Sequence, residues 1–203
     1  NVSRKVRSYN EYSKSPRILV LGGSQGARPI NFAIPEAIKK LSSEMNIEVV
    51  HQTGELDYQD IYQIYKENKS SADIFPFIKD MAEAYEWADL VIGRSGAMTV
   101  SELSAIGLPS ILIPYPHAMD NHQLFNARFL EEKNATIVID EKRLNPEHLA
   151  EIINKIISKD GILKEMAESA FDQTFVNATE NITQFCYKMI EKTPLITSII
   201  ESK

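Results

Sequence analysis

Short apolar runs alternate along the chain with longer stretches in which apolar residues recur every three or four positions. The runs at 17–21, 47–51, 74–78, 88–92, 110–113 and 135–139 read as strands, and the unbroken Ile18-Leu19-Val20-Leu21 suits a parallel strand covered on both faces. Helical spacing fills the gaps: Ile30, Ala33, Ile34, Ala37, Ile38 and Leu41 within 29–41, then Ile61, Ile64 and Tyr65 within 58–66. Further helices are predicted over 80–87, 97–106, 121–133 and 146–158, the last with Asn145 as cap and Pro146 in its first turn. Strands that alternate with helices in this way build an α/β domain with a Rossmann-like, doubly wound parallel sheet. Residues 1–16 lack periodicity and read as an arm, 17–160 as the domain, and 161–203 as C-terminal helices and a tail, with helical patterns at 163–171 and 182–190.

Such sheets bind ligands beyond the carboxyl ends of their strands, so the candidate loops are 22–26, 77–81, 93–98 and 115–123. The most telling is Gly93-Arg94-Ser95-Gly96-Ala97-Met98-Thr99-Val100-Ser101-Glu102, where a strand feeds a glycine turn and the turn feeds a helix ended by Gly107 and Pro109. The unpaired N–H groups and positive dipole end of that helix favour a phosphate. Glu102, about a turn further in, is placed to accept hydrogen bonds from a ribose diol. Thr99 and Glu102 also match a T-x-x-E capping box, and the local sequence leaves both readings open.

Gly22-Gly23-Ser24-Gln25-Gly26 has neither the spacing of a dinucleotide fingerprint nor the Gly-Lys-Ser/Thr of a P-loop. It matches the GxSxG nucleophile elbow of serine hydrolases, with Asp120 and His148 downstream, but only one strand precedes it. A turn needed for backbone geometry alone is a second reading. A phosphate cradle is the reading favoured here.

Composition narrows the chemistry. The 203 residues are 43% apolar and 25% charged, with 22 Lys plus Arg against 28 Asp plus Glu, and a net charge of −6 gives no electrostatic grip on nucleic acid. The single cysteine, Cys186, forms no internal disulfide and fits a reducing compartment, with cytosol as the default. There is no apolar run near the ~20 residues that span a bilayer and no secretion leader. A first residue of Asn rather than Met reads as a piece of something longer. The histidine pair His117 and His122 flanks Asp120, but without HExxH or Asp-x-Asp neither a metal site nor a cofactor is expected, and helix N-termini would hold any pyrophosphate. Asp120-Asn121-His122-Gln123 reads either as a polyol-binding cluster or as an ordinary helix cap.

Taken together, the motifs resemble the MurG family, GT-B glycosyltransferases that add N-acetylglucosamine to lipid I to make the lipid II of bacterial peptidoglycan. The resemblance is carried by Gly22-Gly23-Ser24-Gln25-Gly26-Ala27-Arg28, His51-Gln52-Thr53-Gly54, Phe77-Ile78 with Asp80-Met81-Ala82, and Ala84-Tyr85-Glu86-Trp87-Ala88-Asp89. Arg94-Ser95-Gly96-Ala97 with Thr99-Val100-Ser101-Glu102, and Asn121-His122-Gln123 with Asn126-Ala127, complete it in family order across 17–140. It covers only the donor-binding half of a GT-B enzyme. It implies that Ser24 and the backbone at Ala97, Met98 and Thr99 hold pyrophosphate and that Glu102 takes the ribose hydroxyls. The Phe77-Ile78 backbone would read uracil beside Met81, His122 and Gln123 would meet the sugar, and Arg4 would reach uracil from the arm. His122 stands where the family often has Gln, and Val2 where it has Pro in an Asn-Pro-Val-Arg start.

The implied partners are UDP-N-acetylglucosamine, a lipid I acceptor bound through an N-terminal half, and the cytoplasmic face of the plasma membrane, held peripherally. The catalytic base is expected in that half, so the chain is expected to be inactive alone. The alternative is a non-catalytic UDP-sugar-binding module that docks to a separate acceptor-binding chain, as in the split transferase that extends dolichol-linked sugars.

Overall fold

A computed structural model describes residues 15–23, 27–42, 45–177, 183, 184 and 187. Six strands form one sheet: β1 (Arg17–Leu21), β2 (Glu48–Gln52), β3 (Asp73–Phe75), β4 (Leu90–Gly93), β5 (Ser110–Leu112) and β6 (Thr136–Val138). The helices are α1 (Arg28–Leu41), α2 (Tyr58–Asn68), α3 (Met81–Trp87), α4 (Ala97–Ile106), α5 (His122–Glu131), α6 (Pro146–Ile157), α7 (Ile162–Ala170) and α8 (Gln173–Val176). Every pairing is parallel, in the order β3-β2-β1-β4-β5-β6. This is the doubly wound α/β sheet that the sequence predicts. The chain reverses its direction of travel across the sheet between β1 and β4, and a ligand crevice belongs at that point.

The sheet is covered on both faces. On one, Ile18, Val20 and Ile92 pack against α1, α2, α6 and α7. On the other, Leu19, Leu21 and Val91 pack against Tyr85 of α3, Val100 and Leu103 of α4, and Leu130 of α5. Burial on both sides is the reason that β1 and β4 are apolar without alternation. Each buried Leu or Ile contributes roughly 1.5–3 kcal/mol relative to exposure.

Most boundaries fall within two residues of expectation, and the differences have local causes. The third strand was expected over 74–78 but ends at Phe75, because Pro76 has no N–H to donate to the ladder. The helix expected over 121–133 begins at His122 after a 3₁₀ turn, Met119–Asn121, in which Asp120 and Asn121 both take positive φ. The short α8 had no predictor; Asp172 caps it by accepting from the Thr174 N–H at 3.0 Å. Of the helix expected over 182–190, only residues 183, 184 and 187 are among those described.

Candidate functional site

The β1 and β4 ends lie side by side, with Leu21 paired to Gly93, and each strand runs into a glycine turn. These glycines are required by space. A Cβ on Gly22 would stand 2.5 Å from Asn31 Oδ1 and 2.8 Å from the Gln52 carbonyl oxygen, and one on Gly93 would stand 2.9 Å from the Leu21 carbonyl oxygen. The crevice floor can therefore carry no side chain at either position.

Helix α4 opens onto this crevice. Its N-cap is Gly96, in an extended conformation and without a capping side chain, and Val100 donates the first helical bond to the Gly96 carbonyl at 3.0 Å. Thr99 is consequently the third helical residue, so the T-x-x-E capping box does not form. The N–H groups of Ala97, Met98 and Thr99 have no acceptor within the helix, Ala97 is exposed and Met98 is 77% exposed. An anion can approach them directly. One turn on, half-buried Glu102 accepts a hydrogen bond from the Tyr85 hydroxyl at 2.8 Å through Oε2. Burial first, and the Glu102 charge second, push the Tyr85 hydroxyl well above the usual phenol range, so it remains a donor.

The turn at 93–96 is held from the side by the β5–α5 segment. Ser95 Oγ donates to the Gln123 carbonyl at 2.7 Å, and Asn126 Nδ2 donates to the Ser95 carbonyl at 3.0 Å. Arg94 reaches the Ile113 and Pro114 carbonyls, pairs with Glu141 and lies 5.4 Å from the Tyr115 ring centroid. The Tyr115 N–H donates to Gln123 Oε1 at 2.9 Å, leaving the two Nε2 protons of Gln123 as its remaining donors. His122 Nδ1 is 2.8 Å from the Met119 carbonyl, which can only accept, so Nδ1 carries the proton and Nε2 of the neutral ring is an acceptor. Neither Asp120 nor Asn121 caps α5.

A buried polar chain lies beside Gly22, where β1 ends. Asn31 Nδ2 donates to the Thr53 carbonyl and to Asp57 Oδ2, each at 2.8 Å, and Asp57 also pairs with Arg28. With its protons spent, Asn31 accepts through Oδ1 from His51 Nε2 at 3.2 Å, and His51 Nδ1 then accepts from the Tyr65 hydroxyl at 3.2 Å. Burial pushes the His51 imidazole down to about 3, keeping the ring neutral.

At the far side of the crevice, Phe77 is 57% exposed and the Ile78 N–H donates to Gln52 Oε1 at 2.9 Å. Met81 opens α3 and packs into the same core as Tyr85. A cavity of about 770 Å³, lined by Val50, Phe75, Phe77, Ile78, Asp80 and Trp87 among others, adjoins this loop. Phe77, Ile78, Met81, Ala97, Met98, Thr99, Glu102, His122 and Gln123 thus all sit at or beside the carboxyl edge of the sheet, on loops after β3, β4 and β5 or on the first two turns of their helices. Arg4 and Ser24 lie outside the described residues. Among the described residues, no cluster of three His, Cys, Asp or Glu side chains could hold a metal ion.

The chain matches the glycosyltransferase family 28 C-terminal domain over residues 17–182. It belongs to that family. A UDP-N-acetylglucosamine--N-acetylmuramyl-(pentapeptide) pyrophosphoryl-undecaprenol N-acetylglucosamine transferase from Thermodesulfovibrio yellowstonii is 48% identical over 178 residues, 86% of this chain and 48% of the relative. The transferase of the same name from Coxiella burnetii is 45% identical over 85% of this chain and 48% of its own. The crystal structure of Acinetobacter baumannii MurG superposes with a TM-score of 0.75 at 30% identity, covering 89% of this chain and 54% of that one. The chain spans about half the length of the relatives it matches. The calicheamicin glycosyltransferase CalG4, at 17% identity and a TM-score of 0.62, shares the fold.

Tyr85 and Gln52 stand within the motifs that carry the resemblance but have no role assigned from sequence, and Asn31 stands outside those motifs. Asn31 falls on the buried face of α1 with Ile34 and Ile38, where a polar residue signals a buried hydrogen-bond partner. Tyr85 lies four residues after Met81, on the buried face of α3. Gln52 had no comparable signal, since its partner is a backbone N–H 26 residues away.

Proposed function

We propose that this chain is the donor-binding half of a hexosyltransferase that moves N-acetylglucosamine from UDP-N-acetylglucosamine to lipid I, giving lipid II. The observation that carries the proposal is the uncapped, exposed start of α4 one turn before Glu102, at the switch point of the sheet. The names of the relatives supply the donor and acceptor. Diphosphate oxygens take the N–H groups of Ala97, Met98 and Thr99, aided by the helix dipole and by Ser24. Glu102 accepts from the ribose hydroxyls. Uracil lies over the Phe77–Ile78 backbone beside Met81, with Arg4 approaching from the arm. Reading the base through the Ile78 N–H requires the Gln52 amide to release it.

The sugar meets a complementary pair, His122 Nε2 as acceptor and Gln123 Nε2 as donor. Acceptor binding and the catalytic base are assigned to the portion of the relatives that this chain does not match, and the complete enzyme works peripherally on the cytoplasmic face of the membrane. Helix N–H groups take the place of a divalent cation. Calorimetric titration of UDP-N-acetylglucosamine with and without EDTA tests the proposal. Equal affinity in both conditions, and no binding of the adenosine or guanosine analogues, is expected. Loss of binding on chelation, or equal binding of all bases, would contradict it.

A further inference from the structure

We infer that Tyr85 is a positioning residue for nucleotide binding, its buried hydroxyl fixing the Glu102 carboxylate in the orientation that receives the donor's ribose diol. This rests on the ribose role proposed for Glu102 and reaches one residue behind it.

The geometry begins with the mismatch between the two side chains. Tyr85 is only 5% exposed, packed in the core between α3 and α4, whereas Glu102 is half-buried at the crevice. A buried phenol has to place its proton on an acceptor, and this one gives it to Glu102 Oε2 at 2.8 Å. Among the described residues this is the one side-chain hydrogen bond to Glu102. A carboxylate offers about four lone-pair sites. One is spent on Tyr85, which leaves acceptor capacity on both oxygens for two vicinal hydroxyls.

The gain is preorganisation. A glutamate in the second turn of a helix has three rotatable side-chain bonds, and a ligand that uses it must otherwise stop that motion on binding. The Tyr85 ring is held by the core, so its hydroxyl transfers that rigidity to the carboxylate before a ligand arrives. The raised proton affinity of the Tyr85 hydroxyl is consistent with a donor that never ionises beside the glutamate. The same helix, α3, begins at Met81 directly after the Phe77–Ile78 loop. One rigid element therefore sets both the base-reading loop and the ribose acceptor.

The test titrates UDP and 2′,3′-dideoxy-UDP into the unmodified chain, Tyr85→Phe, Glu102→Gln and the double variant. Phe keeps the ring and its packing, so only the hydroxyl is lost. Tyr85→Phe is expected to weaken UDP about tenfold while moving the dideoxy nucleotide less than twofold. The double variant is expected to bind UDP no more weakly than Glu102→Gln alone, because Tyr85 acts only through Glu102. Equal losses for both nucleotides in Tyr85→Phe, or multiplied losses in the double variant, would show a structural role and overturn the inference. If Glu102→Gln itself weakens both nucleotides equally, the ribose reading has failed and Tyr85's role falls with it. If Glu102→Gln discriminates and Tyr85→Phe does not, only the role of Tyr85 is refuted.

Discussion

The two strand–turn–helix units at the centre of the sheet share a local plan and are stabilised in opposite ways. After β1, a buried chain of Asp57, Asn31, His51 and Tyr65 ties α1 and α2 to β2 beside Gly22. After β4, the turn rests on Ser95, Gln123, Asn126 and Arg94, which tie it sideways to a partly exposed loop and helix. The first set of bonds has no water to replace it, so breaking it removes folding energy. In the second, Ser95 is itself fully buried but its partners Arg94, Gln123 and Asn126 are only half-buried, so water can reach part of the set. Changes there should be felt in ligand geometry before they are felt in stability. Two copies of one motif thus divide the work, one anchoring the domain and the other presenting the uncapped helix start proposed here as the anion site.

The largest expected effect is in the buried unit. Asn31→Leu removes the partner of the Thr53 carbonyl, Asp57 Oδ2 and His51 Nε2 at once, and should cost roughly 3 kcal/mol or more in chemical denaturation. A loss under about 1 kcal/mol would mean that water enters this region and that the contrast between the units is false.

A second effect sharpens the same contrast through pH. His51 is neutral in the fold down to about pH 3, while in the unfolded chain it titrates at its ordinary value of 6.5. Above pH 6.5 neither state binds the proton, so the fold keeps its full stability. Between 6.5 and 3 only the unfolded chain binds it, so stability falls as pH falls, by about 1.4 kcal/mol per pH unit from this group. Denaturation midpoints from pH 7.5 to 5 should show this acid limb, and His51→Gln should flatten it. An unchanged limb in the variant would place the proton elsewhere.

The smallest effect lies in the open unit. Ser95→Ala removes the bond to the Gln123 carbonyl and should weaken UDP by about 1 kcal/mol, with a smaller change in melting temperature. The reverse ranking would make this turn a folding anchor like the first.

The sheet was legible because β1 and β4 are buried on both faces and α1 and α6 carry long apolar stripes, so periodicity and burial agree. The crevice was legible because strand, glycine and helix succeed one another without a gap. The side chains behind it were harder to read. Asn31, Tyr85 and Gln52 meet partners 17 to 26 residues away, and only folding reveals those meetings. The capping box at Thr99 failed for a related reason: Thr-x-x-Glu is satisfied by residues inside a helix that a glycine has already begun. Likewise, positive φ at Asp120 and Asn121 turned a cap-like sequence into a corner that orients His122 instead.

The most direct test of the central claim is the amide NMR response of residues 97–99 to UDP compared with uridine. Both ligands carry the base and ribose, so the difference reports the diphosphate alone. The start of α4 should show the largest difference, with the N–H resonances of Ala97, Met98 and Thr99 shifting strongly with UDP and little with uridine. Equal shifts with both ligands, or a diphosphate response located away from 97–99, would contradict the assignment of this helix start as the anion site.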